Sequence, residues 1–289
     1  MKILVTGATG NIGSLVTRRL IGSGYRPCVL VRDEAKAQRL FSDAVEIRAG
    51  NLAGDQKSLS AAFRSIDSLF LVNSGPDLAE RDLAAALAAK SSGVRHVVKL
   101  STLDVQTSVG TGSWHARGEA ALRESGVDFT FVRSAAFMSN ALYWADEIKA
   151  EGLLRSSTGD GKIAFIHPGD IADVAVHVLV NRDKLGEALV ITGPQALTYA
   201  EMVNIIGEAI GKAIRFISVT DTQARMGSDP YSKAIVDIWR AIREGRVETM
   251  TDEVKHLLGR EPRSFKQWVA ENVGAFSTRG KSQDRGAQF

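Results

Sequence analysis

Cysteine is nearly absent from this 289-residue chain, Cys28 being the sole thiol, so no disulfide framework can form within it and a reducing compartment is the simplest setting. Cys28 itself lies in the apolar run Cys28-Val29-Leu30-Val31, which suits a buried structural thiol. Long apolar stretches are missing as well. Nowhere do about 18 apolar residues follow one another, as a membrane-spanning helix needs, and the opening Lys2-Ile3-Leu4-Val5 is too short for a secretory core. A soluble, cytoplasmic chain with no membrane partner is expected. An excess of one charge is also lacking: 36 Lys and Arg face 33 Asp and Glu, and a net +3 spread along the chain does not argue for a nucleic-acid surface. Gly-x-Ser-x-Gly does not occur, which removes the most recognisable hydrolase turn. His167 and Asp170 are two metal-ligand types without a third at suitable spacing, so no metal is expected, and Asp170 suits the N-cap of a helix from Ile171. His96 before a strand and His177 on a helix read as structural.

What is present is a regular alternation. Short apolar runs at Ile3 to Val5, Cys28 to Val31, Val45 to Ile47, Leu69 to Val72 and Val97 to Leu100 alternate with helical periodicity such as Ile12 to Ser23 and Asp77 to Ser91. Phe129 to Val132 continues the series after a helix over Gly118 to Glu124. Runs apolar on both faces belong inside a parallel sheet covered by helices, so the fold class is α/β, a Rossmann-like doubly wound sheet. Later come an interrupted helical region (Asn140 to Glu151), a Gly-containing loop (Ser156 to Lys162), a helix (Ile171 to Val180) and a strand (Ala188 to Thr192). Helix Tyr199 to Ile210 and strand Ile214 to Val219 lead to three short helical segments that read as a cap. The expected division is a dinucleotide-binding domain over 1–155, its sheet completed by segments around 163–192, a smaller lobe over 193–276, and a polar tail over 277–289.

Gly7, Gly10 and Gly13 give G-x-x-G-x-x-G directly after the first strand and at the start of the first helix. The first two glycines permit a tight turn and close backbone approach, the third lets the helix pack on the sheet, and the bare amides of the helix start can hold a pyrophosphate. At the end of the second strand, where an NAD site places Asp or Glu for the ribose 2′-hydroxyl, stands Arg32, with Lys36 one turn on. Both cations can converge on a 2′-phosphate, which favours NADP(H) over NAD(H). Asp33 either weakens that preference or caps the next helix.

Thr6-Gly7-Ala8-Thr9-Gly10-Asn11-Ile12-Gly13, Val31 to Ala37, Ile166 to Ala175, Leu189 to Met202 and the terminal stretch from Thr251 to Phe265 together resemble the NmrA-like branch of the atypical short-chain dehydrogenase/reductases. The resemblance runs from residue 1 to about Phe276 and implies a Rossmann-like domain with a smaller lobe over the nicotinamide end. Members include NAD(P)H-dependent reductases of quinones, azo dyes and triphenylmethane dyes, and also non-catalytic redox-sensing regulators. By that resemblance Gly7, Thr9, Gly10, Asn11 and Ile12 would hold the pyrophosphate and Arg32 and Lys36 the ribose phosphate. Asn51 and Leu52 would flank adenine, with Asn51 standing where the family has an acid. Val72, Asn73 and Ser74 would pass beneath the cofactor, followed by Ser101 and Thr102. Ser134 to Phe137 would lie beside the nicotinamide, with the family's Arg-Pro-Gly loop altered: the proline is missing and Ala135 stands at the glycine.

The proton-donating Tyr-x-x-x-Lys pair of ordinary short-chain reductases is absent; Trp114-His115-Ala116-Arg117-Gly118-Glu119 occupies its place. One reading makes His115 a proton donor raised by Glu119 on the same helix face. The other makes it a structural histidine. Ser101 is the second candidate donor. Without a dedicated acid, a reductase still works on a good hydride acceptor such as a quinone, an enone or a conjugated cation. Phe137, Met138, Tyr143, Trp144 and Phe165, with Trp239 from the cap, either line a pocket for such a flat aromatic molecule or form the lobe's own core. The function expected is NAD(P)H-dependent reduction of a conjugated acceptor by a monomer or homodimer. The alternatives are a regulator that senses NADP(H) and a biosynthetic ketoreductase.

Overall fold

The computed structural model describes residues 1–224 and 227–277; the expected tail lies outside them apart from Ser277. Seven strands form one parallel sheet: β1 (Ile3–Thr6), β2 (Cys28–Val31), β3 (Glu46–Ala49), β4 (Ser68–Leu71), β5 (His96–Thr102), β6 (Asp128–Ser134) and, after two short lobe strands, β7 (Leu153–Ser156) and β8 (Lys162–Ile163), the edge strand β9 (Ala188–Ile191). Their order is β3-β2-β1-β4-β5-β6-β9, so the winding reverses between β1 and β4, where a crevice opens at the carboxyl ends of the strands.

The strands are apolar on both faces because helices cover both. Leu4, Leu30, Leu69, Val97 and Phe131 point into one core with α3 (Gln56–Ala62), α4 (Leu78–Ser91) and α5 (Gly112–Ser125). Val5, Val29, Phe70, Val98 and Val132 point into the other with α1 (Asn11–Gly22), α2 (Glu34–Phe41) and, after the lobe helix α6 (Ala145–Glu151), α7 (Pro168–Asn181). Burial on this scale, at about 25 cal/mol per Å² of apolar surface, supplies most of the fold's driving force.

The remaining elements are β10 (Leu197–Thr198), α8 (Tyr199–Ile210), β11 (Arg215–Ser218), α9 (Pro230–Arg243), α10 (Glu253–Leu258) and α11 (Phe265–Asn272). β8 pairs antiparallel with β10, and β7 parallel with β11. The lobe has its own core, which takes Met138, Trp144, Ile148, Leu154 and Phe165 as well as Tyr199, Ile206, Phe265 and Trp268. Its chain therefore does not begin at 193; the stretch from Met138 to Phe165 belongs to it by packing. The three terminal helical segments also do not form one cap. α10 packs against α7 and β9, α11 against α8, and α9 stands over the crevice.

Asp170 is not the cap of α7. The cap is His167, whose Nδ1 accepts from Gly169 N at 2.9 Å, while its Nε2 meets Glu271 at 3.1 Å. Asp170, fully buried in the first turn, is held by Arg260 and Arg263, which tie the chain after α10 to α7.

Candidate active site

The carboxyl ends of the strands, the turn after β1 and helix α9 enclose a cleft of about 840 Å³. Its first wall depends on three glycines in three ways. Gly7 sits at φ +59°, where a Cβ would meet Val72 Cγ1 at 2.3 Å; a Cβ on Gly13 would lie 2.1 Å from the Gly7 carbonyl oxygen. Both glycines are therefore required for α1 to start against the turn. Gly10 is different: it is the N-cap of α1 in ordinary extended backbone, and a Cβ there would touch only the Gly7 oxygen, at 3.2 Å. A side chain at Gly10 would occupy the cleft rather than the core. No side chain accepts from the first-turn amides of α1, and that turn holds no acid, whereas Asp33, Asp55, Thr198 and Asp229 cap α2, α3, α8 and α9. The helix dipole and its free amides thus face the cleft unquenched, the arrangement that holds a pyrophosphate. Thr9, Asn11 and Ile12 line the same wall, and Asn11 Nδ2 reaches across to Ser139 Oγ at 2.7 Å.

At the end of β2, Arg32 and Lys36 line the cleft, exposed, and neither joins an ion pair among the described residues. Asp33 does not quench them by pairing; its carboxylate accepts the Lys36 backbone N–H at 2.8 Å as a helix cap. Asn51 and Leu52 follow β3 on the same wall. The Asn51 side-chain oxygen, expected to meet adenine, accepts from Ala53 N at 2.8 Å and shapes its own turn. Val72, Asn73 and Ser74 form the floor after β4; Asn73 accepts from Ser74 N and Arg81, and donates to Leu78 O at 3.1 Å.

Deeper in, the expected His115–Glu119 pair does not form. Glu119 is fully buried and takes Ser101 Oγ at 2.7 Å, Arg133 through two bonds at 2.9 and 2.6 Å, and Arg123 at 3.4 Å. It locks β5, β6 and α5 together, and the Ser101 proton points at Glu119 rather than into the cleft. Helix α5 starts at Gly112, six residues ahead of the expected Gly118, which places His115 in its first turns at the cleft wall. Burial and then the charge of Lys99 push the imidazole well below its usual pKa, the reverse of what a carboxylate neighbour would do.

The far end of the cleft is walled by Thr111, Trp114, His115 and Asn140, with Tyr231, Ile235 and Ile238 from α9 opposite. Phe137 lines it too, but the other five expected substrate residues do not. Met138, Trp144 and Phe165 are buried in the lobe core, where Trp144 packs on Tyr199 with ring centres 4.7 Å apart. Trp239 packs half-buried against that core, and Tyr143 is 88% exposed. Aromatic composition alone does not separate a lobe's core from its pocket, since both call for large apolar groups. Sequence reasoning passed over Trp114, Tyr231 and Asp104. Trp114 adjoins His115 in the motif, and Tyr231 stands on the strongly amphipathic α9. Asp104, two residues beyond β5, lines the cleft and accepts from Thr102 Oγ1 at 2.9 Å. Burial, with a smaller push from Asp237 on α9, raises its carboxyl to about 6.

A parallel sheet reversing at β1 and β4, with a bare helix start, paired glycines and two free cations at the crevice, defines a Rossmann-like dinucleotide-binding protein. Comparison with known proteins narrows the class. The NmrA-like family model matches residues 1–269. A (4-alkanoyl-5-oxo-2,5-dihydrofuran-3-yl)methyl phosphate reductase of Streptomyces griseus subsp. griseus is 35% identical, the match covering 95% of this chain and 99% of the relative. An NAD(P)H azoreductase of Xenophilus azovorans is 33% identical over the same shares. Among solved structures, an NADPH-dependent quinone oxidoreductase from Escherichia coli in complex with NADPH superposes with a TM-score of 0.86 at 24% identity, covering 93% of this chain and 99% of that one. The chain belongs to the NmrA-like family, on its oxidoreductase side. No helix among the described residues is long and apolar enough to cross a membrane, and no cluster of metal-ligating side chains occurs among them.

Proposed function

We propose that this chain is an NADPH-preferring reductase of a flat conjugated acceptor, a quinone or an enone. The observation that carries the reading is that one cleft has a bare helix start and two unpaired cations at one end and an apolar slot between Trp114 and α9 at the other. The residues fit a dinucleotide: Gly10 leaves open the space a pyrophosphate needs, and Arg32 and Lys36 stand ready for a 2′-phosphate. Bound there, the nicotinamide supplies hydride. The protein's part is to hold the acceptor flat between Trp114 and His115 on one side and Tyr231, Ile235 and Ile238 on the other, and to exclude water from it. The names of the relatives support the acceptor class, since a furanone ring, an azo bond and a quinone are all conjugated hydride acceptors. The cleft is complete within one chain, so a monomer suffices, and a reducing cytoplasm would supply NADPH and keep Cys28 a thiol.

The test is NADPH consumption against a panel of neutral quinones and enones. Stoichiometric oxidation with product formation supports the reductase. Tight dinucleotide binding with no turnover on any acceptor would favour a sensor of the NADP(H) ratio instead.

A further inference from the structure

We infer that Asp104 is the acid of the reaction, passing a proton from its Oδ1 to the acceptor's oxygen as hydride reaches the acceptor's carbon. The inference rests on the reductase reading. Asp104 stands in the single helical turn Leu103–Gln106 directly after β5, at the carboxyl edge of the sheet where the cleft opens, and it lines that cleft. Both walls of the acceptor slot meet this stretch of chain. A Cβ on Gly112 would collide with the Asp104 carbonyl oxygen, so the glycine lets the start of α5, with Trp114 and His115, sit directly on the turn that carries the carboxyl. From the opposite side α9 closes on the same loop. Asp237 accepts from Gly110 N at 2.7 Å, and a Cβ on Gly110 would collide with Ile238.

The carboxyl is held by one oxygen only. Thr102 Oγ1 donates to Oδ2 at 2.9 Å and accepts from Asp104 N at 3.3 Å, which fixes the group, whereas Oδ1 has no partner among the described residues and is not sealed from solvent. No cation pairs with it among those residues. Other inward-facing acids do have one: Asp82 has Lys99 at 2.6 Å, Glu119 has Arg133 at 2.6 Å and Asp170 has Arg260 at 2.8 Å. Those pairs spend the charges on the neighbouring elements, Lys99 on β5, Arg133 on β6 and Glu119 on α5. On α9, Asp237 opposes ionisation of Asp104, and Arg240 lies 3.9 Å from Asp237. A carboxyl left half-buried without a cation keeps its proton closer to neutral pH, as an acid catalyst requires. Ser101 is spent on Glu119, and Glu119, held by Arg133, does not charge His115.

In an enone, hydride bonds to the β-carbon, the C=C pair moves between the α-carbon and the carbonyl carbon, and the carbonyl pair moves onto oxygen. That oxygen takes the proton as the Asp104 O–H bond breaks, giving an enol that ketonises in water. The carboxylate, still held by Thr102, regains its proton from water.

Single-turnover NADPH oxidation by the intact protein between pH 5 and pH 8.5, with an enone and with a quinone, tests the assignment. With the enone, the wild-type rate should fall about tenfold per pH unit above about 6, where the acid form is lost. Asp104→Asn should react with the enone on the order of 100-fold more slowly at pH 6, without that pH dependence. With the quinone, whose reduced form is an aromatic phenolate that needs no acid, the same variant should stay within about threefold of the parent. A merely structural role would slow both acceptors alike. Asp104→Glu should restore a pH-dependent rate, and carbon-13 NMR of labelled aspartate carboxyls, with no acceptor present, should show Asp104 titrating near 6. Equal losses with the two acceptors, a flat wild-type profile, a carboxyl titrating near 4, or a larger loss for Tyr231→Phe than for Asp104→Asn would each overturn the inference. Should the Asn variant not fold, the wild-type profile, the Glu variant and the carboxyl titration still decide. Turnover of neither acceptor would sink the reductase reading and this inference with it, whereas turnover with equal losses sinks this inference alone.

Discussion

Changing Arg32 and Lys36 together to Ser and Ala removes the two cations that face the cleft at the end of β2. A charge-assisted contact is worth about 1.5–3 kcal/mol when water is excluded, but both side chains are exposed, so screening cuts each to about 1 kcal/mol. Their sum, about 2 kcal/mol, is roughly a 30-fold weakening of NADPH binding at 1.4 kcal/mol per tenfold. Asp33 does not blunt the effect, because its carboxylate is spent on the Lys36 backbone N–H. NADH, which presents a hydroxyl at the same place, should lose less than threefold. Calorimetric titration of both cofactors at one ionic strength measures the difference, and the NADPH loss should shrink as salt is raised. Equal losses for NADH and NADPH would show that these cations do not read a phosphate and would remove the case for NADPH preference.

Three other perturbations test the cleft and its surroundings. Gly10→Val should fold with a penalty of only about 1 kcal/mol, since its Cβ meets one backbone atom at 3.2 Å, yet NADPH affinity should fall more than tenfold; unchanged affinity would mean that the turn holds no pyrophosphate. Trp144→Ala should cost about 3–5 kcal/mol in urea unfolding by hollowing the lobe core. A variant of unchanged stability with a raised acceptor KM would instead place Trp144 in the pocket. Asp104 carries a carboxyl raised from 3.8 to about 6, so ionising it costs the folded state roughly 3 kcal/mol at 1.36 kcal/mol per unit, less for its access to the cleft. A raised carboxyl contributes stability below pH 4 that is lost as pH rises to 6. Asp104→Asn should therefore be more stable than the parent at pH 7 by about 1–2 kcal/mol and equal to it near pH 3.5, as thermal melts at the two pH values would show; a variant no more stable at pH 7 would refute the assignment.

Much of the sheet is legible in the sequence because a strand buried on both faces is apolar throughout. The expected run at Cys28 to Val31 is β2 itself, and Tyr199 to Ile210 is α8. Boundaries slipped where a polar run continues an element: α5 extends back over Gly112 to Arg117, whose Ser, His and Arg give little amphipathic signal. The cleft residues around the glycine turn were legible because backbone geometry dictates glycine there. All the expected cofactor residues from Gly7 to Phe137 line one cleft, although what they bind belongs to the proposal. The partner of Glu119 was not legible. Spacing on α5 points to His115 at i−4, but the sheet brings Arg133 and Ser101 across from other strands, and a bidentate guanidinium wins. Asp104 and Tyr231 lie 127 residues apart along the chain and line one cleft only because α9 folds back over it.

In the reaction proposed, hydride passes within this cleft from a bound nicotinamide to a conjugated acceptor. Single-turnover reaction of the protein with NADPH carrying deuterium on one face of C4, repeated with the other face labelled, tests it directly. Rapid transfer of the label from one face only is expected, carbon-bound in the product of an enone. Tight NADPH binding with no label in any acceptor product, or equal transfer from both faces, would contradict it.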